Sequence, residues 1–426
     1  MNCHTIVTRK FGGCGVYLKR SEKLKPNSKH RNTHTKKIGK NLMKKILNLI
    51  ALLGLVGLGQ TNAATILGGD VAVFRVGDGA AALTSGNFAV FVDVFRNSGG
   101  TWSLNQSIAM PTVVSGNNQI LTSSGTAGSE GFLNLSEDGR YIVLGGYNKA
   151  PITTAGTVGN GLGKYSADRT IGLLSVGTGT VDTTTHGAWA AAGNNMRGVA
   201  SNDGTSFYAT TDAGIYYGTY GTSGSTPLLV KSGNLRTLEI SQGNLLADTG
   251  SASAIATGST AGAIGRATGL PTAASSTMTV LFNEAAGTSP YGFSLLDLNK
   301  DGVDETAYIA DSVGGINKMY FNGSTWVSKG VIAGTYSGLE AVYNGTSVDI
   351  FVTAASGGTL GTLNDASGID GALTGTVTTI GTAGANTVFR GVAVAAVPEP
   401  SAQALLGIGM VALVAVRAFR RNREDS

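Results

Sequence analysis

The chain has 426 residues, 64 of them glycine, and a formal net charge of +5. The charge is unevenly placed: residues 1–64 hold 13 basic groups and one acidic group, whereas residues 65–396 hold 14 basic and 22 acidic groups, a net charge of −8. That body lacks the basic footprint of a nucleic-acid binder, and with no cysteine and a single histidine, His186, it excludes disulfides, thiol catalysis and multi-histidine metal sites.

Residues 1–42 are a polar, basic leader without hydrophobic periodicity. Its Cys3, Cys14, His4, His30 and His34 lack the close spacing of a zinc ligand set. At Met43 a compact export signal begins, with Lys44 and Lys45 as the basic region, Ile46 to Gly59 as the apolar core and Thr61-Asn-Ala63 as a small-residue cleavage site, so that the cut falls between Ala63 and Ala64. Residues 43–64 therefore read as a signal peptide for the export translocase. The leader before them is either a misassigned start or an unusually long basic region.

Residues 65–396 are rich in Gly, Thr, Ser, Ala and Val and carry no stretch of helix formers with a 3.6-residue period. Short alternating or apolar runs are bounded by glycine, asparagine and aspartate, the pattern of strands joined by tight turns. Phe88 to Phe95, Tyr141 to Leu144, Ser206 to Thr210, Val348 to Val352 and Gly375 to Ile380 are such runs. The domain is expected to be all-β, and its roughly 330 residues can bury a core without disulfides.

Six segments share one form, an apolar phrase, a polar turn and a β-rich run; they open at Gly131, Met196, Leu235, Tyr291, Gly338 and Phe389. Their spacings of 65, 39, 56, 47 and 51 residues bracket the roughly 40–50 residues of a four-stranded propeller blade. The sixth phrase, Phe389-Arg-Gly-Val-Ala-Val394, has no second strand. The N-terminal strands around Val71 to Val76, Phe88 to Phe95 and Trp102 to Ile108 have no opening phrase of their own. Together these predict a β-propeller of six blades closed by N- and C-terminal strands; a β-helix or a pair of β-sandwiches suits the same composition.

Chemistry-bearing motifs are few. Asp297-Leu-Asn299-Lys-Asp301-Gly-Val-Asp304-Glu305 sets oxygen-bearing side chains around a glycine turn, similar to the first half of a calcium loop and to the loops of integrin-type propellers. Asp297, Asn299, Asp301 and Asp304 are the candidate calcium ligands, and no other cofactor is expected. The twelfth position, where an EF-hand carries a bidentate glutamate, is Tyr308, and a plain Asp-Gly hairpin turn is the competing reading. Gly159-Asn-Gly161-Leu-Gly163 lacks the spacing of a phosphate cradle and reads as a loop. No Gly-x-Ser-x-Gly elbow is present. His186, beside Trp189, has no paired acid nearby in the sequence and reads as structural. Arg197, Arg236 and Arg390 hold similar places in three phrases, and either line one mouth of a propeller or pair with acids of neighbouring blades such as Glu239 or Glu340.

Beyond the body, Val397-Pro398-Glu399-Pro400-Ser401 is held extended and stripped of amide donors by its prolines, which makes it an exposed, protease-accessible linker. Ala404 to Val416 is an uninterrupted apolar run of 13 residues with no amphipathic stripe, short against the roughly 20 that cross a bilayer comfortably. Arg417, Arg420, Arg421 and Arg423 follow, and such basic flanks stay cytoplasmic, leaving everything before Val397 outside the cytoplasm. Motif, hydrophobic helix and arginine cluster, in that order over 27 residues, resemble the PEP-CTERM sorting signal. The tail is less basic than that signal, since Asn422, Glu424, Asp425 and Ser426 interrupt or follow the arginines. The resemblance implies export from a Gram-negative bacterium, transient anchoring in the inner membrane by a short transmembrane helix, cleavage near Pro-Glu-Pro by an exosortase-type enzyme, and a final place at the cell surface or in an exopolysaccharide matrix.

With no catalytic constellation, the central domain is expected to bind a polysaccharide or a protein without catalysis. The alternative is an exported calcium-dependent hydrolase or lyase using carboxylates such as Asp297, Asp301 and Glu340.

Overall fold

Apolar runs and glycine turns set this chain into strands. A computed structural model describes residues 65–396, except 152–162, 167, 251–253, 256–261 and 285–288; its regular elements are 26 strands and one 3-10 turn, Gly163–Tyr165. The described chain is all-β. Val71–Val76, a continuous apolar run broken only by Arg75, is buried on both faces, whereas every residue of Thr101–Ala109 is exposed or half-buried. The expected signal cleavage at Ala63 and Ala64, the motif Val397 to Ser401, the apolar run behind it and the four tail arginines lie outside the described residues. Among the described residues no helix is long and apolar enough to cross a membrane.

Residues 196–232, 238–283, 290–332 and 336–382 each form a four-stranded antiparallel meander. The other ten strands join one sheet through Asn87–Ser98, which serves two groups. From Val90 onward it pairs with Val71–Val76 and Thr101–Ala109, while its first residues pair with Thr122–Ser124 and lead on to Tyr141–Tyr147, Arg169–Ser175 and Val181–Gly187. The last strand, Val388–Val394, lies antiparallel to Val71–Val76, from Val71 opposite Val394 to Val76 opposite Val388, with a bulge between Val73 and Arg75. Both ends of the described chain thus share one ladder. None of the five sheets closes on itself.

Five of the six repeated phrases fold as hairpins, and the sixth supplies the lone strand paired to Val71–Val76. Their first strands touch one another in an unbroken series: Asn134–Leu135, Met196–Ala200, Leu238–Ser241, Pro290–Leu296, Tyr336–Tyr343, Val388–Val394 and back to Asn134–Leu135. The approach is close because glycine stands at the contact. A β-carbon on Gly338 would lie 2.5 Å from the Arg390 carbonyl oxygen, and one on Gly391 would lie 2.7 Å from the backbone of Phe132 and Leu133. Thr210 and Thr353 fill the same role in two sheets: each hydroxyl accepts from the glycine amide of its own first strand (Gly198, Gly338) and donates to an arginine carbonyl (Arg236, Arg390) of the next.

Six hydrophobic clusters occupy the described core. One sets Leu246 and Ile264 against Phe293 and Ile309 of the next sheet; another sets Val71 and Phe389 against Phe351 and Leu360. Each fully buried side chain of this kind contributes about 1.5–3 kcal/mol. Side-chain packing therefore holds the sheets face to face, as in other sheet-on-sheet folds.

Candidate functional site

The acidic motif is the connection between Pro290–Leu296 and Thr306–Asp311. Lys300 (φ 61°) and Gly302 (φ 88°) turn it through the left-handed region. The backbone is then gathered by side chains: Asp297 accepts from the amides of Asp301 (3.1 Å) and Gly302 (2.7 Å), Asn299 Oδ1 from Asp301 N (3.0 Å), and Asp301 Oδ1 from Val303 N (3.0 Å). Asn299 Nδ2 donates to Asp301 Oδ2.

Oxygens of Asp297, Asp301 and Glu305 come within 4.8 Å of one another. Glu305 is 7% exposed; its Oε1 accepts from Leu298 N at 2.9 Å, while its Oε2 is buried without a partner among the described residues. Burial first, and the carboxylates of Asp297 and Asp301 after it, push the Glu305 pKa up. The carboxylates of Asp297, Asp301 and Glu305 are hard oxygen donors of the kind that could hold a hard cation, and a calcium ion there would supply the partner that Glu305 Oε2 lacks.

Asp304 does not belong to this set, contrary to the sequence expectation. Its side chain is buried on the other side of the chain, where Oδ1 accepts from Ser241 Oγ of the neighbouring meander at 3.1 Å. Adjacent residues entering a strand face opposite ways, so only one of Asp304 and Glu305 could turn into the loop. The ninth position of the motif, Glu305, is the closing carboxylate that a search for an EF-hand's twelfth position passes over. Glu340 also lies elsewhere: it faces Glu239, whose Oε2 accepts from Leu295 N at 3.2 Å. Burial holds Glu340 up to about 8, and burial followed by the Glu340 carboxylate holds Glu239 well above its usual range.

Asp304 and its neighbour Val303 instead border a cleft of about 450 Å3 between the meanders 238–283 and 290–332. Part of its wall is aromatic. Trp326 packs at 4.8 Å from Phe282 and 5.6 Å from Phe321, and the Arg266 side chain stands exposed at the rim. Sequence reasoning missed this cleft because its parts come from four strands and two connections, with no local motif.

Arg197, Arg236 and Arg390 are not ion-paired to Glu239 or Glu340. Arg197 Nη1 donates to Asn234 Oδ1 and Leu235 O, both at 2.7 Å; Arg236 Nη1 donates to Ser289 Oγ and Pro290 O; Arg390 Nη2 donates to Gly125 O. Each ties its segment to backbone of an adjoining one. Burial lowers the pKa of Arg197 and of Arg390. Arg236 also covers Tyr291 (4.2 Å), which stacks on Phe132 at 5.9 Å.

His186 does have an acid partner, distant in sequence from where its own surroundings suggested none. Its Nδ1 lies 3.0 Å from Asp168 Oδ2, and its Nε2 lies 3.0 Å from Ser223 Oγ. The glycine-rich segment 159–163 is described only from Gly163, which opens the 3-10 turn.

No protein-family model and no curated protein matches the chain. Among solved structures it is similar to a Bacteroides fragilis protein provisionally described as a 6-phosphogluconolactonase, at 14% identity and a TM-score of 0.41, over 73% of this chain and 81% of that one. It is also similar to the periplasmic gluconolactonase of Pseudomonas aeruginosa, at 14% identity and a TM-score of 0.39, over 68% of this chain and 78% of that one.

Proposed function

We propose that this chain is an exported surface or matrix protein whose central domain is a six-bladed β-propeller that binds polysaccharide in the cleft beside Trp326. Calcium held by Asp297, Asn299, Asp301 and Glu305 stiffens one wall of that cleft. The observation that carries the reading is the juxtaposition of the Phe282, Trp326 and Phe321 rings with Asp304 and Arg266. Aromatic faces match the C–H faces of sugar rings, and a few charged groups at the edge accept and donate to hydroxyls.

The propeller reading draws on the six first strands in contact around a closed series and on the ladder between Val71–Val76 and Val388–Val394. Export and sorting draw on the signal at Met43 and on the tail from Val397 to Arg423. Cleavage at the tail motif by an exosortase-type enzyme would release the domain within three residues of Val394.

The test is binding of the full chain to a panel of bacterial exopolysaccharides by affinity electrophoresis, with and without calcium. At least one polysaccharide is retained, Trp326→Ala weakens retention about tenfold or more, corresponding to 1.4 kcal/mol, and a chelator weakens it in the parent chain. Retention by no polysaccharide, or equal retention by Trp326→Ala, overturns the reading.

A further inference from the structure

We propose that Ser223, His186 and Asp168 form a nucleophilic triad that cleaves carboxylic esters at the protein surface, a site separate from the aromatic cleft. The strand Ser223–Ser225 belongs in sequence to the meander 196–232, yet it leaves that sheet and lies parallel to Val181–Gly187 with Ser223 opposite His186. It is the one parallel strand pair among the described strands. His186 N donates to Thr222 O at 3.0 Å and Ala188 N to Ser225 O at 2.9 Å. The approach requires glycine at 187, where a β-carbon would lie 2.5 Å from Ser225 O.

This pairing sets the order of the three groups. Asp168, just before Arg169–Ser175, meets Nδ1 of His186, and Asn148 Nδ2 holds Asp168 Oδ2 at 2.8 Å. Ser223 Oγ meets Nε2 at 3.0 Å. With the proton on Nδ1 fixed by Asp168, Nε2 is the acceptor for the serine hydroxyl, the arrangement that lets an imidazole act as general base. The His186 side chain is 15% exposed and Ser223 is open to solvent, so the base is shielded while the nucleophile is accessible.

In the reaction Ser223 Oγ attacks the ester carbonyl carbon as its proton passes to His186 Nε2. The adduct collapses with cleavage of the ester C–O bond, and His186 returns the proton to the departing alcohol. Water, deprotonated by His186, then attacks the acyl-Ser223 carbonyl; the C–O bond to Ser223 breaks, the serine recovers its proton, and a carboxylic acid leaves. The open surroundings suit small acyl groups borne by a large molecule.

The test is covalent labelling of the full chain by a fluorophosphonate, followed by intact mass and peptide mapping. One label is expected, on Ser223. It is absent in Ser223→Ala, whose exposed position preserves folding as checked by circular dichroism, and its rate drops about 100-fold or more in Asp168→Asn and His186→Gln. Hydrolysis of 4-nitrophenyl acetate, with a burst of one equivalent, falls in the same order. No label, a label on another serine, or equal labelling of Ser223→Ala overturns the proposal.

Discussion

Asp304 and Glu305 are adjacent in the chain but serve different neighbourhoods: Asp304 Oδ1 accepts from Ser241 Oγ across to the next meander, while Glu305 turns back to Leu298 N and the carboxylates of Asp297 and Asp301. The pair gives a sharp test of which acid closes the loop. Calcium should raise the melting temperature of the parent chain, by the equivalent of about 2.7 kcal/mol when the ion stands at a hundredfold its Kd. Glu305→Gln and Asp301→Asn should abolish the shift, and Asp304→Asn should keep it, with the baseline close to the parent's because the asparagine Oδ1 still accepts from Ser241 Oγ. Differential scanning calorimetry with and without a chelator reads all four. An unshifted parent, or a shift lost only in Asp304→Asn, would return the motif to a plain hairpin turn.

Gly338 and Gly177 make a matched pair for the packing of the first strands. A β-carbon on Gly338 meets the Arg390 carbonyl oxygen and the Thr353 hydroxyl, both at 2.5 Å, whereas one on Gly177 meets nothing within 4 Å. Gly338→Ala should cost about 1–3 kcal/mol in urea unfolding, because neither a backbone carbonyl nor its hydrogen-bonded threonine can move aside cheaply. Gly177→Ala should lie within about 0.5 kcal/mol of the parent. Equal stabilities would show that the first strands leave room for a β-carbon at Gly338.

Two acids shielded from solvent, Glu340 in part and Asp248 fully, set a slope of stability with pH. Glu340 is held up to about 8 and Asp248 to about 7, in each case chiefly by burial, against ordinary values of 4.5 and 3.8. A carboxyl whose folded pKa is raised binds its proton more tightly in the folded state, so its contribution is complete below the unfolded value and is lost as pH rises through the folded value. Stability should therefore decline between about pH 5 and pH 8, and Glu340→Gln should flatten part of that decline by removing the charge that must otherwise form beside Glu239. Midpoints of urea unfolding at pH 5, 6.5 and 8 measure it; an identical slope in Glu340→Gln would show that the carboxylate is solvated in the folded chain.

How far the sequence reached depends on whether a feature is local. The hairpins were legible because a strand, its turn and the next strand are contiguous, as in Met196 to Thr211 with Asn202-Asp203-Gly204 between. The lone phrase at Phe389 and the unopened strands at Val71 and Phe88 also pointed to the ladder between the chain ends. The arginines were legible as a repeated position but not in their role: Arg197 and Arg236 reach carbonyls at Leu235 and Pro290, and backbone acceptors leave no trace in composition. The same limit hid His186. Asp168 and Ser223 stand 18 and 37 residues away, and only the parallel pairing of Ser223 with His186 brings them together.

The sorting tail makes a prediction in cells. Pro398→Ala with Glu399→Ala leaves the apolar run and the four arginines intact, so the chain should still be exported and retained by its hydrophobic segment. Fractionation should then show a slower-migrating species in the inner membrane in place of a processed one at the surface or in the medium. Unchanged size and location would separate this tail from the signal it resembles.

Lys318 offers the strongest stability prediction. Its ammonium is fully buried and donates to Asp365 Oδ2 (2.8 Å), Ser367 Oγ (2.9 Å) and Gly368 O (2.5 Å), while Tyr308 donates to the same carboxylate oxygen at 2.6 Å. Burial pushes Asp365 up, but the hydrogen bonds from Lys318, Ser367 and Tyr308 outweigh it and hold its pKa below the usual value. This contribution is present above the unfolded value and is lost in acid, opposite in sign to that of Glu340. Lys318→Met leaves a buried carboxylate without its cation and should cost about 3–5 kcal/mol. Combining it with Asp365→Leu removes the stranded charge and should recover a large part of that loss, because two well-packed apolar groups replace the pair. Urea unfolding of the single and double variants decides the point: a double variant less stable than Lys318→Met would mean that the Tyr308 and Ser367 bonds to Asp365, not the ion pair, hold this corner together.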